Sequence, residues 1–211
     1  MNQKYVWLFI LTGLLFGMTS CNKYLDVKPK GYQLLTSVPD YDQWLNSINV
    51  EEAVPTPLNY FADNVDDPTI VPNAVVSYTE LAYTWAPQLT LDPTGSAVIL
   101  PGHYTTIYYF NTVIQGIDAA TGGTDQQKAS LKAEAQLGRA LEYLYLVNEY
   151  GKEYDSATAT TDLAIPFVAS NDLATPTPPR STVQQIYDDI IADITAAIPN
   201  LPADKDRKSV V

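Results

Sequence analysis

Apolar residues recur along this chain with the period of an α-helix in four places. The clearest runs from Thr124, where TDQQKASLKAEAQLGRALEYLYLVNEYG places Ala133, Leu137, Ala140, Leu141, Leu144 and Val147 on one face at 3.6 residues per turn. Thr124 and Gln127 have the spacing of a capping box at its start, and Gly151 supplies its stop. A second segment, RSTVQQIYDDIIADITAAIPNLP, opens with Ser181 three before Gln184 and carries Val183, Ile186, Tyr187, Ile190, Ile191, Ile194, Ala197 and Ile198 as its apolar positions before Pro199 ends it. Asp188, Asp189 and Asp193 fall largely off that face and read as a solvated acidic surface. Shorter helices are predicted from about Val38 to Ile48, with Tyr41, Trp44, Leu45 and Ile48 as the core face, and from about His103 to Ile117. The stretches from Glu51 to Asn73 and from Glu153 to Arg180 are rich in Pro, Asn and Asp, too polar and broken to predict regular elements, and read as long loops.

The first twenty residues follow another logic. Lys4 precedes an apolar run from Tyr5 to Phe16, then small residues lead to Cys21, the layout of a signal peptide. The run is shorter than the roughly 20 residues a membrane-crossing helix needs. Thr19 and Ser20 directly before the chain's only cysteine resemble the lipobox of bacterial lipoproteins, with Met18 where Leu is commoner. That resemblance implies removal of residues 1–20 and lipidation of Cys21, and several acyl chains anchor firmly where one holds only marginally. The exported part would then contain no disulfide and rely on its core alone.

Composition narrows the partners. The 211 residues carry 12 Lys+Arg against 24 Asp+Glu, a net charge of −12, which becomes −13 when Lys4 leaves with the signal segment. Such a surface repels nucleic acid and anionic membrane, whose binding depends on Lys and Arg. No zinc-ligand spacing, phosphate loop or dinucleotide fingerprint occurs, so no metal or other cofactor is expected. The one histidine, His103, follows Gly102 near a helix start, has no serine motif to serve, and reads as a surface or capping residue. Glu51 with Glu52 and Asp66 with Asp67 lack the context of a glycosidase pair, and an enzyme is not expected.

The order of the helical motifs resembles the SusD/RagB family of outer-membrane nutrient-binding lipoproteins. Its first helix motif is met by Ala133, Glu134, Ala135, Arg139, Ala140, Tyr143, Leu146, Tyr150 and Gly151. Ile165 and Pro166 follow, and the second motif is met by Arg180, Thr182, Val183, Tyr187, Ile190, Asp193, Ala197, Leu201 and Pro202. Tyr104, Ile107 and Asn111 fit an earlier family helix, and Cys21 with KYLDVKPKG fits a mature N-terminus. The resemblance implies an all-α fold in which tetratricopeptide-like helix pairs carry long ordered loops. It further implies a lipoprotein of the outer membrane, facing the cell exterior, that captures a glycan or other nutrient oligomer and delivers it to a TonB-dependent transporter of the SusC type. A helical module that contacts only the transporter stays open as the alternative, as does a truncated fragment without function.

A glycan site needs aromatic faces for the C–H surfaces of the sugar ring and polar groups for its hydroxyls. The segment SYTELAYTWAPQ offers Tyr78, Tyr83 and Trp85, with Asn64, Asp66 and Asn73 upstream, as candidate ligand-binding residues, and the same aromatics would also suit core positions of a strand or loop. The last residues, Asp206 to Val211, read as a non-native tail, since the codons for DRKSVV match the start of a sequencing adapter. On that reading residues 21–205 are the N-terminal part of a longer SusD-like domain, and the helix from Val183 lacks the neighbour that would cover its Ile-rich face.

Overall fold

A computed structural model describes residues 35–47, 50, 60, 66, 78–87 and 100–201. The signal segment, Cys21, Ile48, the adapter-like tail and nearly all of the predicted loop from Glu51 to Asn73 lie outside the described residues. Five α-helices carry the described structure: α1 (Val38–Leu45), α2 (Tyr78–Tyr83), α3 (Leu100–Gly116), α4 (Asp125–Tyr150) and α5 (Val183–Ala197). Short 3-10 turns extend α3 over Ile117–Ala119 and α5 over Ile198–Asn200. None of these helices is long and apolar enough to cross a membrane.

The helix ends follow from local chemistry. At α4, Thr124 Oγ1 accepts from Gln127 N at 3.2 Å and Gln127 Oε1 accepts from Thr124 N at 2.8 Å, the predicted capping box. The box at α5 lies one residue later than predicted, on Thr182 and Gln185, with Thr182 Oγ1 accepting from Gln185 N and Gln185 Oε1 accepting from Thr182 N. Ser181 and the capping Thr182 both lie in a short strand. At α1, Asp40 accepts from the backbone N–H groups of Ser37 and Thr36 and from the Ser37 hydroxyl. These bonds hold its carboxyl down at about 2, against an ordinary 3.8. Gly151 ends α4 by close approach: a Cβ there would lie 2.5 Å from the Val147 carbonyl oxygen.

The region read as a long loop from Glu153 to Arg180 contains one strand and ends at the start of a second. β1 (Leu163–Pro166) pairs antiparallel with β2 (Arg180–Thr182), Leu163 opposite Thr182 and Pro166 opposite Arg180, with an irregularity between. Two adjacent apolar residues, Ala164 and Ile165, are both buried, so the alternation that marks a half-buried strand is missing from the sequence.

Helix α4, roughly 39 Å long at 1.5 Å per residue, joins two apolar clusters. Its N-terminal half packs Leu131 and Ala135 with Phe110, Val113 and Ile117 of α3 and Val38, Tyr41 and Leu45 of α1. Its C-terminal half packs Tyr143, Leu146 and Val147 with Ile107 of α3, Ala164 and Ile165 of β1, and Val183, Ile186 and Ile190 of α5. Gly138 lies in mid-helix, where glycine costs about 1 kcal/mol against alanine. A Cβ there would be 2.2 Å from the Phe110 ring, so its absence lets α3 lie close against α4. Trp44 is half-buried against the α1 cluster, donating from Nε1 to the Tyr109 carbonyl at 3.2 Å.

Candidate ligand-binding surface

The segment expected to be strand or loop forms α2 instead. Ala82 is fully buried on it and Tyr83 half-buried. The helix closes with Trp85 N donating to Ala82 O at 3.0 Å and Ala86 N donating to Leu81 O at 2.9 Å. Those two bonds are the pair of a Schellman motif, whose turning residue takes the left-handed conformation and is usually glycine. Here it is Trp85, at φ 52°, with Pro87 two residues on. A left-handed non-glycine residue costs about 1–2 kcal/mol. The indole so placed is 65% exposed.

Of the other predicted contacts, Tyr78 begins α2 and Asp66 is exposed, while Asn64 and Asn73 lie outside the described residues. Within the described residues only Tyr83 and Trp85 are brought together, by two residues of sequence at one helix end. Two open concavities lie elsewhere among the described residues. One of about 320 Å³ is lined by Asp118, Asp125, Lys128, Lys132, Gln136 and Asn200. The other, about 820 Å³, is lined by Lys152, Glu153, Tyr154, Asp155, Thr158 and Asp162 among others, and it presents the 45% exposed ring of Tyr154 beside carboxylates. That ring is held edge-on to Tyr187, centroids 5.5 Å apart, and its hydroxyl donates to Gln184 Oε1 at 2.6 Å. Lys152 pairs with Asp162 there, and this bond with that from Thr158 holds the Asp162 carboxyl below its ordinary value.

The loop leaving β1 is fastened by side chains from two helices. Arg139 of α4 makes a bidentate pair with Asp193 of α5, Nε to Oδ2 at 2.8 Å and Nη2 to Oδ1 at 2.7 Å, and donates from Nη1 to Asn111 Oδ1 of α3 at 2.8 Å. Asn111 Nδ2 in turn donates to the Val168 carbonyl at 2.8 Å. The Tyr143 hydroxyl accepts from Val168 N at 2.7 Å, Tyr104 donates to Pro166 O at 2.7 Å, and Gln115 donates to Ala169 O. Phe167 lies 4.5 Å from the Tyr143 ring and under the Arg139 guanidinium. Burial pushes the Tyr143 and Tyr104 phenols well above their ordinary range, so both stay hydrogen-bond donors. The sequence pattern places Asp193 on a solvated surface. It is buried, because a bidentate guanidinium partner on the facing helix supplies the charge that burial would otherwise leave unpaired.

His103 also departs from expectation. It is completely buried inside α3, with Nδ1 2.6 Å from Glu142 Oε2 and Nε2 3.9 Å from Glu149 Oε2. Because α3 begins at Leu100, residue 103 falls within the helix and faces α4 rather than capping it. Among the described residues no group of three His, Cys, Asp or Glu side chains is arranged to hold a metal ion.

The fold has relatives of known structure. A SusD superfamily protein from Bacteroides thetaiotaomicron superposes with a TM-score of 0.63 at 21% identity, over 81% of this chain and 39% of that one. A SusD superfamily protein from Bacteroides vulgatus gives 0.62 at 18% identity over 81% and 39%. A SusD-like carbohydrate binding protein from the same species gives 0.60 at 20% identity over 82% and 37%. The chain thus spans about two fifths of the length of these structures. No curated protein matches it. The family model of SusD-like proteins, described as starch-binding associating with outer membrane, matches residues 23–211. An all-α fold with one two-stranded sheet and a match over all but the first 22 residues lead to one conclusion: the chain belongs to the SusD-like family.

Proposed function

We propose that this chain belongs to a glycan-capturing lipoprotein of the outer membrane, in which exposed aromatic faces meet the sugar and a TonB-dependent transporter of the SusC type receives it. The observation that carries the reading is Trp85. The backbone adopts a left-handed turn that favours glycine, yet the residue there is the largest side chain available, and its indole faces solvent. A flat, amphipathic ring on a fixed turn suits the C–H face of a pyranose at low entropic cost. Tyr83, Tyr78, Asn64, Asp66 and Asn73 are the proposed companions, Cys21 the proposed lipid attachment site, and tetratricopeptide-like pairing of helices the proposed scaffold. Binding and hand-over require no catalytic group, and the proposed role is not enzymatic. The matched family's description and the carbohydrate-binding relative support the ligand class.

Fluorescence tests this directly, since the chain has three tryptophans, Trp7, Trp44 and Trp85, and Trp44 is half-buried. Titration with an oligosaccharide panel should quench emission, and Trp85→Gly should abolish both the quench and the calorimetric signal. The same substitution should raise stability by about 1 kcal/mol by relieving the left-handed strain. Unchanged affinity in a folded Trp85→Gly protein would remove the indole from the site. Silence from the well-folded parent chain toward every oligosaccharide would favour the module that contacts only the transporter.

A further inference from the structure

The larger concavity, of about 820 Å³, is built by a stretch of chain with no helix or strand of its own, and that stretch is nonetheless firmly held. Thr158 N and Ala159 N both donate to the Asp155 carbonyl, at 3.0 and 2.7 Å, and Asp155 Oδ1 accepts from Ala157 N at 2.9 Å. Asp162 N then donates to Thr158 O at 2.9 Å, so one turn follows directly on another. Both are pinned to the start of α5. Val183 N donates to Asp162 O at 2.8 Å and Gln184 N to Ala159 O at 3.0 Å, with Ala159 itself buried in the core. The Tyr154 ring is braced twice on this frame, through its hydroxyl on Gln184 and against the perpendicular ring of Tyr187, and Gln184 is in turn held by donating from Nε2 to Asp188 Oδ1 at 2.8 Å. A half-exposed aromatic side chain held in this way is a prepared contact surface, since little rotamer freedom remains to be lost on binding.

We propose that this concavity is a second, weaker sugar contact, in which the Tyr154 ring packs on the C–H face of an uncharged pyranose and the polar groups around it bond the sugar hydroxyls. The lining selects that class. Lys152 offers N–H donors, Glu153 and Asp155 offer carboxylate acceptors, and Ser156 and Thr158 offer hydroxyls that can act as either, a mixed set that matches a polyol rather than an ion. One ammonium against three carboxylates, with Asp162 as the third, leaves the lining at −2, which repels uronate and sulfated sugars. None of these residues belongs to α2 or to the turn that carries Trp85. A single aromatic platform open to solvent holds a sugar in the millimolar range, so this contact adds avidity for a polymeric glycan and contributes no calorimetric signal of its own with a short one. The inference rests on the glycan reading, but not on Trp85.

Amide NMR of the 211-residue chain separates the two contacts, because tryptophan emission reports on Trp85 and the backbone amides of residues 153–162 report on the concavity. The probes are maltohexaose, cellohexaose, xylohexaose and mannohexaose, with hexagalacturonate as the charged counterpart. The expected result is a saturable shift of the Tyr154, Asp155 and Thr158 amides with at least one neutral oligomer. That shift should persist in Trp85→Gly and weaken at least about tenfold in Tyr154→Ala, with the tryptophan quench unchanged in the latter. Tyr154→Phe keeps the ring and loses only the bond to Gln184, so it should retain the shift. A loss in Tyr154→Phe as large as in Tyr154→Ala would mean that the loop and not the ring is being read, and would overturn the inference. So would hexagalacturonate binding as tightly as the neutral oligomers. Amides that stay still while tryptophan emission is quenched would overturn it and leave the glycan reading standing, whereas shifted amides without a quench would support it and remove Trp85 from the site. No response of either signal to any oligomer would overturn both.

Discussion

The two sides of the α4–α5 pair invert the usual arrangement of polar and apolar residues. Toward α3 and the β1 loop, the pair buries Arg139 and Asp193 against each other, and Asn111 links Arg139 to the Val168 carbonyl. On the sides turned away, leucines and isoleucines are exposed. The difference lies in what faces each side. A charge can be buried where its complement and its remaining hydrogen-bond partners come from facing elements, and an aliphatic face stays open where nothing described covers it. A helical pattern therefore locates helices well and identifies their buried side less well, because the choice of side depends on the neighbour.

The strongest way to break the polar side is Asp193→Ala, which leaves the Arg139 guanidinium buried without its bidentate partner. Denaturant unfolding should show a loss of about 3–5 kcal/mol. Replacing both partners by apolar residues, Arg139→Met with Asp193→Leu, should recover most of it, since no charge is then left stranded. A cost below about 1 kcal/mol for Asp193→Ala would mean the pair is as weak as a surface one. Next in size is Asn111→Ala, which removes an acceptor from Arg139 and a donor from the Val168 carbonyl together. A loss of about 1–3 kcal/mol is expected. Amide exchange at Val168, whose N–H is held by the Tyr143 hydroxyl, should quicken if the loop depends on this network, and should stay slow if Tyr143 alone fastens it.

These residues also mark how far the sequence could be read. Helices α3, α4 and α5 are legible because each repeats the 3.6-residue period over several turns, and the Thr124 box is legible because both its members are local. At α5 two boxes fit the letters, on Ser181 and on Thr182, and the structure forms the second. Helix α2 is too short to show a period, and its stop carries a tryptophan where glycine would have signalled it. Within the candidate site, Trp85 is exposed, while Asn64 and Asn73 lie outside the described residues. The sequence contains Arg139, Asn111 and Asp193 at family-motif positions, but nothing local states that they meet, because 28 residues separate Asn111 from Arg139 and 54 separate Arg139 from Asp193.

A smaller effect sharpens the polar side. Asp189 lies near the Arg139–Asp193 pair, and burial first, then the Asp193 charge, raises its carboxyl above the ordinary 3.8. A carboxyl raised in the folded state favours folding while protonated, an advantage present below the unfolded value and lost as pH rises through the folded one. At neutral pH the ionised group is thus a liability, and Asp189→Asn should raise the melting temperature by about 2 °C. The gain should vanish below roughly pH 3.8, where the parent carboxyl is protonated in both states. A gain that persists in acid would assign the effect to packing rather than charge.

The smallest expected effect tests the open side, and it is informative because two neighbouring residues should differ so much. Ile190 is 5% exposed within the cluster that joins Tyr143 and Ile186, and Ile191, next along α5, is 59% exposed. Truncating the first leaves a cavity, and Ile190→Ala should cost about 2–5 kcal/mol. Ile191→Ala removes side-chain atoms that already touch water, and alanine is the better helix former, so the two terms offset and the change should stay within about 0.5 kcal/mol. Chemical denaturation of both variants at a protein concentration low enough to keep the chain monomeric makes the comparison. If Ile191→Ala were instead to cost as much as Ile190→Ala, the face would already be covered in this chain, and the contrast between the two sides of the helix pair would disappear.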